Sequence, residues 1–297
     1  MHYVFLLSSP RSGSTVTRLT LDKLPGMVAL PETHFWVFKE KNKNYRLPEK
    51  IHEISEAWIN FYTIKKFPID LENLKNDIVN NARHWKDILT ITIDHYIRYL
   101  NISTTNSLTV CEKSPPHIFY INEIRNDFPD AKFIFLVRDP RDVVASLKTC
   151  SWSTSNPVIN ASVWRQGIRM FSLGPDSMIV KYEDLVSDPY TSVRKICSFL
   201  NIEFNEEIFN IQTKDAVERR NLTSVNSLKP ISDKHIGKYR ELLSKPDREQ
   251  DIIERICHLE MERFGYLETN SRIKSDLSLR ARIIVYKMAI LISKFIK

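Results

Sequence analysis

Two short apolar runs in this sequence each stop at a polar loop that contains arginine, and a helical pattern follows each loop. The first run, His2 to Leu7, leads into Ser8-Ser9-Pro10-Arg11-Ser12-Gly13-Ser14-Thr15, and the second, Ala131 to Val137, leads into Arg138-Asp139-Pro140. Continuous apolar runs of this length are typical of strands that are buried on both faces. Strands that alternate with helices predict an α/β fold with a parallel sheet, which binds ligands at the carboxyl edge of its strands.

The rest of the chain extends this pattern. Met178 to Lys181 predicts another strand, and Tyr190 to Leu200 predicts a helix. Residues from about 41 to 106 are rich in Lys, Asn and aromatic side chains and predict a helical insertion. We therefore expect a P-loop-like parallel β-sheet flanked by helices, in a single domain of residues 1–268, with a separate C-terminal helix over residues 272–297.

The positive charge of the chain is concentrated in this last segment. The formal net charge is +7, and residues 272–297 carry six of these charges. Arg280, Lys287 and Lys294 recur every seven residues among apolar side chains, which predicts a basic amphipathic helix that is too short to span a membrane. Such a helix suits an anionic membrane surface, another subunit or its own domain, and the sequence leaves these alternatives open.

Other features of the sequence bear on compartment and partners. The N-terminus has no basic stretch followed by a long apolar segment. The four cysteines are widely spaced singles, which indicates reduced thiols. We expect a cytoplasmic protein that is at most peripheral to a membrane. Nucleic acid is not an expected partner, because basic residues are not interleaved with aromatic ones.

The loop after the first strand has the composition of an anion site. A turn from strand to helix directs free backbone N–H groups and the positive end of the helix toward a ligand. Gly13 allows close approach, the hydroxyl groups add donors, and Arg11 adds a cation. The loop is not a Walker A sequence, because Gly13-Ser14 replaces Gly-Lys. An ordinary Ser-rich connecting turn remains the alternative.

The loop after the second strand offers a second candidate anion site. Arg138 at the strand end and Ser146 on the following helix predict two contacts to one phosphate, and Asp142 is placed to support the helix N-terminus. The alternative is a loop with a surface ion pair. Two such sites in one chain indicate a ligand with two separated phosphate groups.

These segments resemble the motifs of one enzyme family. Pro10 to Thr15 resembles the 5'-phosphosulfate loop of sulfotransferases that use 3'-phosphoadenosine 5'-phosphosulfate (PAPS), and Val137 to Ser146 resembles their 3'-phosphate motif. The resemblance continues through Glu112-Lys113-Ser114-Pro115 and Tyr182-Glu183-Asp184-Leu185 and covers roughly residues 1–268. It is closer to the tyrosylprotein, carbohydrate and bacterial branches than to the cytosolic phenol branch, which has Lys in place of Arg11.

The resemblance implies which residues bind the cosubstrate. Arg11 and residues 12–15 would hold the 5'-phosphosulfate, Arg138 and Ser146 the 3'-phosphate, and Tyr182 would lie near the adenine, with a core position as its alternative. Lys238 belongs to a segment similar to the one that closes over PAPS in the family. The complete implied set is Arg11, Ser12, Gly13, Ser14, Thr15, Arg138, Ser146, Tyr182 and Lys238.

The catalytic residues also follow from the resemblance. Pro31-Glu32-Thr33 occupies the place of the catalytic glutamate of the tyrosylprotein branch, so Glu32 is the implied base. His34 and His117 are alternative bases, because the phenol branch uses a histidine. Lys113 and Arg11 would stabilise the charge that develops on the leaving oxygen. The chemistry requires no metal, and no His/Asp/Glu cluster has ligand spacing.

The resemblance therefore implies an enzyme that moves a sulfuryl group from PAPS to a hydroxyl and releases 3'-phosphoadenosine 5'-phosphate (PAP). The basic tail favours a glycan or glycolipid acceptor over a tyrosine. Two other classes stay open. A P-loop nucleotide kinase would need the Walker lysine that the loop lacks, and a non-enzymatic membrane-binding protein would leave Arg11, Arg138 and Ser146 without a task.

Overall fold

The structure is a computed structural model, and it describes residues 1–103, 108–209, 232–243 and 246–267. Its centre is a sheet of five parallel strands in the order β2-β3-β1-β4-β5. The strands are β1 His2–Ser8, β2 Met27–Ala29, β3 Thr109–Glu112, β4 Lys132–Val137 and β5 Ser177–Lys181.

β1 is the central strand, which explains its apolar sequence. Val4 to Leu7 are all buried, as expected for a strand that is covered on both faces. β1 pairs with β3 on one side and with β4 on the other, and all three strands are parallel. Their carboxyl ends therefore lie at the same edge of the sheet. The predicted α/β fold with a parallel sheet is confirmed.

The chain forms two compact units. Unit 1 contains residues 1–137 and 170–233, and unit 2 contains residues 138–169 and 234–297. The described helices of unit 1 are α1 Ser14–Leu21, α2 Phe35–Lys41, α3 Ile51–Ile59, α4 Leu71–Asn81, α5 Trp85–Tyr99, α6 Ile121–Asp127, α9 Tyr182–Ser187 and α10 Pro189–Leu200. Those of unit 2 are α7 Pro140–Lys148, α8 Pro157–Arg169, α11 Tyr239–Leu242 and α12 Pro246–Arg263.

Helices cover both faces of the sheet within unit 1. On one face, Leu6 of β1 belongs to a buried cluster with Leu21 of α1, Leu185 of α9 and Ile196 of α10. On the other face the core is aromatic: Phe5 contacts Trp36 of α2 edge-on, with ring centroids 5.5 Å apart, and also contacts Phe128 and Phe133. Burial of these large side chains is the main force that holds the helices on the sheet.

Unit 2 is built from helices. α8 packs against α12, and the Cys257 thiol lies 3.4 Å from the Ala161 carbonyl oxygen at this contact. Asp139 caps α7, since its carboxylate accepts the Arg141 N–H at 2.8 Å, and Pro140 occupies the first helical position. The Trp164 indole N–H donates to the Arg138 carbonyl at 3.1 Å and fixes the start of this unit.

In its described part, residues 41–103, the predicted insertion contains the α-helices α3, α4 and α5. The predicted tail, residues 272–297, lies outside the described residues. Within the described ranges, no helix is long and apolar enough to cross a membrane. The helix α12 has no counterpart among the sequence-based expectations, because its hydrophobic pattern was not recognised.

Candidate active site

The end of β1 and the loop that joins it to α1 contain three buried serines with unused hydroxyl groups. Two residues of the loop have left-handed backbone, Arg11 with φ 65° and Gly13 with φ 91°. The hydroxyls of Ser8, Ser9 and Ser12 are buried and have no hydrogen-bond partner among the described residues. Buried polar groups are normally paired, so these three hydroxyls are available as hydrogen-bond donors to a polar ligand.

Gly13 is required by the side chain beneath it. A Cβ atom at this position would lie 2.3 Å from Cδ2 of Tyr182, well inside van der Waals contact. Tyr182 is the first residue of α9, is 5% exposed and belongs to the hydrophobic core. The structure therefore places Tyr182 as a core residue under the loop, and its predicted contact with adenine stays a prediction.

Lys113 connects the loop to Glu32. It follows the last residue of β3, and its side chain is 3% exposed. Its Nζ forms an ion pair with Oε1 of Glu32 and lies 3.5 Å from the hydroxyl oxygen of Thr15 in α1. The structure thus brings together two predicted catalytic residues, Glu32 and Lys113, and one predicted cosubstrate residue, Thr15.

The ion pair changes the acidity of Glu32. Burial raises the pKa of Glu32, but the hydrogen bond from His34 and the charge of Lys113 outweigh burial and lower the pKa to about 2. For Lys113, burial is the largest effect and lowers the pKa, although Glu32 opposes it. Without ligand, Glu32 is therefore an ionised carboxylate whose affinity for a proton is low.

A second carboxylate, Glu112, holds this region together. Oε1 of Glu112 accepts hydrogen bonds from the hydroxyls of Thr33 at 2.7 Å and Ser114 at 2.6 Å, and Oε2 accepts from Nδ1 of His117 at 2.8 Å. Burial raises the pKa of Glu112, but His117 and the hydroxyl donors hold it below its ordinary value. Because Thr33 follows Glu32 and Ser114 follows Lys113, one buried carboxylate positions both residues of the ion pair.

A buried arginine fixes the segment that leads to Glu32 from the other direction. Arg18 of α1 is 1% exposed, and its guanidinium donates to the carbonyl of Ala29 at 2.8 Å. The carboxylate of Asp22 accepts the N–H of the same residue at 2.8 Å. α1 thereby holds both sides of the Ala29 peptide, three residues before Glu32.

The two histidines proposed as alternative bases have different surroundings. His117 is fully buried; Nδ1 bonds to Glu112, and Nε2 accepts the backbone N–H of Trp36 at 3.4 Å. Both nitrogens of His117 are thus occupied by the protein. His34 lies next to Glu32, with Nε2 3.0 Å from Oε2 of the carboxylate, and its Nδ1 hydrogen-bonds to the hydroxyl of Tyr62.

Unit 2 contains the predicted 3'-phosphate residues. The Arg138 guanidinium donates to the carbonyl of His235 at 2.5 Å and lies 3.7 Å from Asp142. The two oxygens of Asp142 accept the N–H groups of Gly237 and Tyr239 at 2.8 and 2.9 Å. Burial raises the pKa of Asp142 despite the neighbouring Arg138. Asp142 therefore ties Arg138 and α7 to residues 235–239.

Ser146 and Lys238 belong to the same part of unit 2. Ser146 follows Asp142 by four residues on α7, so the two side chains share a face of that helix. Lys238 caps α11, between the two backbone groups that Asp142 binds. Arg141 forms ion pairs with Asp139 at 2.6 Å and Glu254 at 2.9 Å.

Comparison with known proteins identifies the family. The family profile described as "Sulfotransferase family" matches residues 4–206, more than half of the chain. The chain belongs to the sulfotransferase family. This match includes both loops, Glu32, Lys113 and Tyr182, and it ends before the segment that contains Lys238.

The relatives of this sulfotransferase support the same assignment. It is 24% identical over 250 residues to the protein-tyrosine sulfotransferase of Drosophila melanogaster, covering 80% of this chain and 45% of the relative. Over 222 residues it is 25% identical to protein-tyrosine sulfotransferase 1 of Danio rerio, covering 71% of this chain and 56% of the relative. The chain spans about half the length of the curated relatives it matches.

A solved structure supports the fold. The sulfotransferase domain of the Synechococcus PCC 7002 olefin synthase superposes with a TM-score of 0.63 at 24% identity, over 91% of this chain and 96% of that chain. The five-stranded parallel sheet is therefore the fold of a known sulfotransferase domain.

Sequence reasoning missed three residues that shape the site of this sulfotransferase: Glu112, Arg18 and Tyr62. Glu112 follows the apolar residues Val110 and Cys111 in the sequence, and a charged residue at the end of a buried strand is a signal that could have drawn attention to it. Arg18 carries a similar signal, because it interrupts the apolar pattern of α1. Tyr62 carries none, since its partner His34 is 28 residues away in a different element.

Proposed function

We propose that this protein is a PAPS-dependent sulfotransferase that moves a sulfuryl group to an acceptor hydroxyl. The observation that carries the proposal is the position of Lys113, whose Nζ contacts both Glu32 and Thr15 of the serine-rich loop. A cation between a carboxylate and an anion-binding loop suits a reaction in which a hydroxyl loses a proton while an anionic group is transferred.

The residues present fit the cosubstrate. The unpaired hydroxyls of Ser8, Ser9 and Ser12 offer donors to the 5'-phosphosulfate, together with Gly13, Ser14, Thr15 and Arg11. Arg138, Ser146 and Lys238 are proposed to bind the 3'-phosphate, which separates PAPS from ordinary nucleotides, and Tyr182 to lie near the adenine. PAPS supplies the activated sulfuryl group and leaves as PAP.

The catalytic residues share the work of an in-line transfer. Glu32 accepts the proton of the acceptor hydroxyl as the new oxygen–sulfur bond forms, and Lys113 and Arg11 stabilise the charge on the oxygen from which the sulfuryl group departs. We propose that Lys113 leaves Glu32 when the anionic group enters the loop. Loss of this cation raises the proton affinity of Glu32, so the base becomes effective only when the cosubstrate is bound.

The names of the relatives favour a tyrosine hydroxyl of a protein as the acceptor. A glycan or glycolipid is the second candidate, and it rests on the basic character of residues 272–297. The kinase alternative is less well supported, because the loop lacks the Walker lysine and the chain belongs to the sulfotransferase family.

Thermal unfolding with nucleotides tests the cosubstrate. A ligand at 100 times its Kd stabilises the folded state by about 2.7 kcal/mol, so we expect saturating PAP to raise the Tm and equal concentrations of ADP or ATP to leave it nearly unchanged. Arg138→Met should remove the response to PAP, whereas the exposed Arg46→Met should keep it. Equal stabilisation by ADP and PAP would contradict the proposal and favour the kinase.

The acceptor is tested by transfer of labelled sulfate from PAPS to a tyrosine peptide, a glycan and a glycolipid. We expect label on the tyrosine peptide, which Glu32→Gln should abolish without loss of PAP binding. Label on the glycan or glycolipid alone would replace the tyrosine assignment.

A further inference from the structure

The two oxygens of the Glu32 carboxylate have different partners. Oε1 pairs with Lys113, whereas Oε2 lies 3.0 Å from Nε2 of His34. The other nitrogen of His34, Nδ1, hydrogen-bonds to the hydroxyl of Tyr62, a residue that is 53% exposed. A continuous chain of hydrogen bonds therefore runs from the surface, through His34, to one oxygen of the proposed base.

The direction of each bond in this chain follows from the charges. Glu32 is ionised and has no proton to donate, so Nε2 of His34 must be the donor. In the uncharged imidazole, which has a single N–H, Nδ1 then has the free electron pair and accepts the O–H of Tyr62. Burial and the charge of Glu32 raise the pKa of Tyr62, which keeps this phenol protonated. The hydroxyl of Tyr62 thus selects the Nε2–H tautomer of His34.

Hydrogen bonds between neighbouring hydroxyl groups and the backbone hold Glu32, His34 and Tyr62 in place. The Thr63 hydroxyl donates to the carbonyl of Thr33 at 2.7 Å, which joins the neighbour of Tyr62 to the neighbour of His34. The Ser114 hydroxyl oxygen accepts the N–H groups of Thr33 and His34 at 3.1 and 3.0 Å. His34 itself has φ 53°, a conformation that is unfavourable for a non-glycine residue and persists only where its surroundings impose it.

We propose that His34 and Tyr62 are positioning residues that decide which oxygen of Glu32 acts as the base. His34 keeps Oε2 occupied as an acceptor, so Oε1 is the oxygen that becomes available when Lys113 leaves. The acceptor proton goes to Oε1, and it cannot pass to His34, because Nε2 already carries a proton. Tyr62 acts through His34 by fixing its tautomer. This inference rests on the proposed sulfotransfer.

Three titratable groups surround His34 and bear on any pH dependence. They are Glu32, Tyr62 and His117, whose ring centroid lies 6.5 Å away. Both nitrogens of His117 are engaged by Glu112 and Trp36. Loss of the Tyr62 hydroxyl therefore leaves His34 with Glu32 as its remaining strong partner.

The tautomer is measured directly by nitrogen NMR of the full chain with labelled histidine. We expect a protonated Nε2 and an unprotonated Nδ1 at His34 in the unaltered protein, assigned by loss of the signal in His34→Gln. Tyr62→Phe should give a mixture of the two His34 tautomers. Tyr45→Phe removes another exposed hydroxyl and should leave His34 in the single Nε2–H tautomer. A protonated Nδ1 in the unaltered protein would overturn the proposal.

Kinetics separate a positioning role from a merely structural one. A misplacement of a reacting group by about 1 Å can cost about 100-fold in rate, so Tyr62→Phe, which acts only through His34, should lower kcat about 10-fold with the KM for PAPS unchanged. His34→Phe should lower kcat further, and His34→Gln, which keeps a donor, should restore part of it. An unchanged kcat in Tyr62→Phe would overturn the positioning role alone, whereas an unaltered protein that binds no PAP would refute the proposed sulfotransfer.

Discussion

Replacement of Glu112 by glutamine tests the view that one buried carboxylate holds the candidate site together. In the orientation that keeps one acceptor oxygen for Thr33 and Ser114, the glutamine amide points an N–H at Nδ1–H of His117. His117 cannot escape by changing tautomer, because its Nε2 would then donate toward the N–H of Trp36. Two donors therefore face each other wherever the proton is placed.

The magnitude follows from these contacts. A hydrogen bond to a charged group contributes about 1.5–3 kcal/mol, and breaking a buried charge interaction costs about 3–5 kcal/mol. We expect Glu112→Gln to lower the free energy of unfolding by about 3 kcal/mol at pH 7, as measured by urea denaturation. The matched control is Glu123→Gln, an exposed glutamate in α6, which should change stability by less than about 0.5 kcal/mol.

The pH dependence supplies a second test of Glu112. The pKa of this carboxyl is lower in the folded protein than its ordinary value of 4.5, so it stabilises the fold above that value. This contribution disappears as the pH falls through the folded pKa. The difference in stability between the unaltered protein and Glu112→Gln should therefore shrink below about pH 4.5. A loss below 1 kcal/mol at pH 7, or one that does not change with pH, would refute the reasoning.

Two further predictions concern the loop and the ion pair. Gly13→Ala should destabilise the protein through the positive φ of this position and through a clash with Tyr182, and the clash should contribute about 1–3 kcal/mol. Gly265 also has a positive φ but has nothing within 4 Å of an added Cβ, so Gly265→Ala should show the effect of φ alone in the same urea titration. Equal losses of stability in the two variants would exclude the clash. Lys113→Met removes a charge that lowers the pKa of Glu32, so this pKa should rise from about 2 and the acid limb of the kcat/KM profile should move to higher pH. An acid limb at the same pH in the variant would show that Lys113 does not control this base.

Local patterns were sufficient to predict the strands β1, β4 and β5 and the loops that follow β1 and β4. Apolar runs that end in polar loops reflect burial on both faces, which is a property of consecutive residues. The strands β1 and β4 and the helix α7 therefore lie close to their expected positions. Asp142 was expected to support the N-terminus of α7, but the side chain that caps this helix is Asp139. Asp142 instead accepts hydrogen bonds from backbone groups 95 and 97 residues away.

The supports of the candidate site could not be predicted from the sequence, because they join distant segments. Glu112 contacts Thr33 across 79 positions, and no local pattern encodes such a pairing. The contact between His34 and Tyr62 depends on how the insertion folds back on the segment after β2. The family resemblance supplied Glu32 and Lys113 as candidates, but only the fold reveals that they form an ion pair.

The anchoring of Thr33 and Ser114 on Glu112 has a consequence for engineering. The chain leaves the sheet at Thr33, forms the helical insertion and returns through β3 to Ser114, so both junctions are clamped to the same carboxylate. We expect exchanges within helices α3 to α5 that keep Trp58, which contacts Phe35 of α2, to leave the ion pair of Glu32 and Lys113 in place. The insertion is thus a part of the fold in which changes can be made while both of its junctions stay anchored.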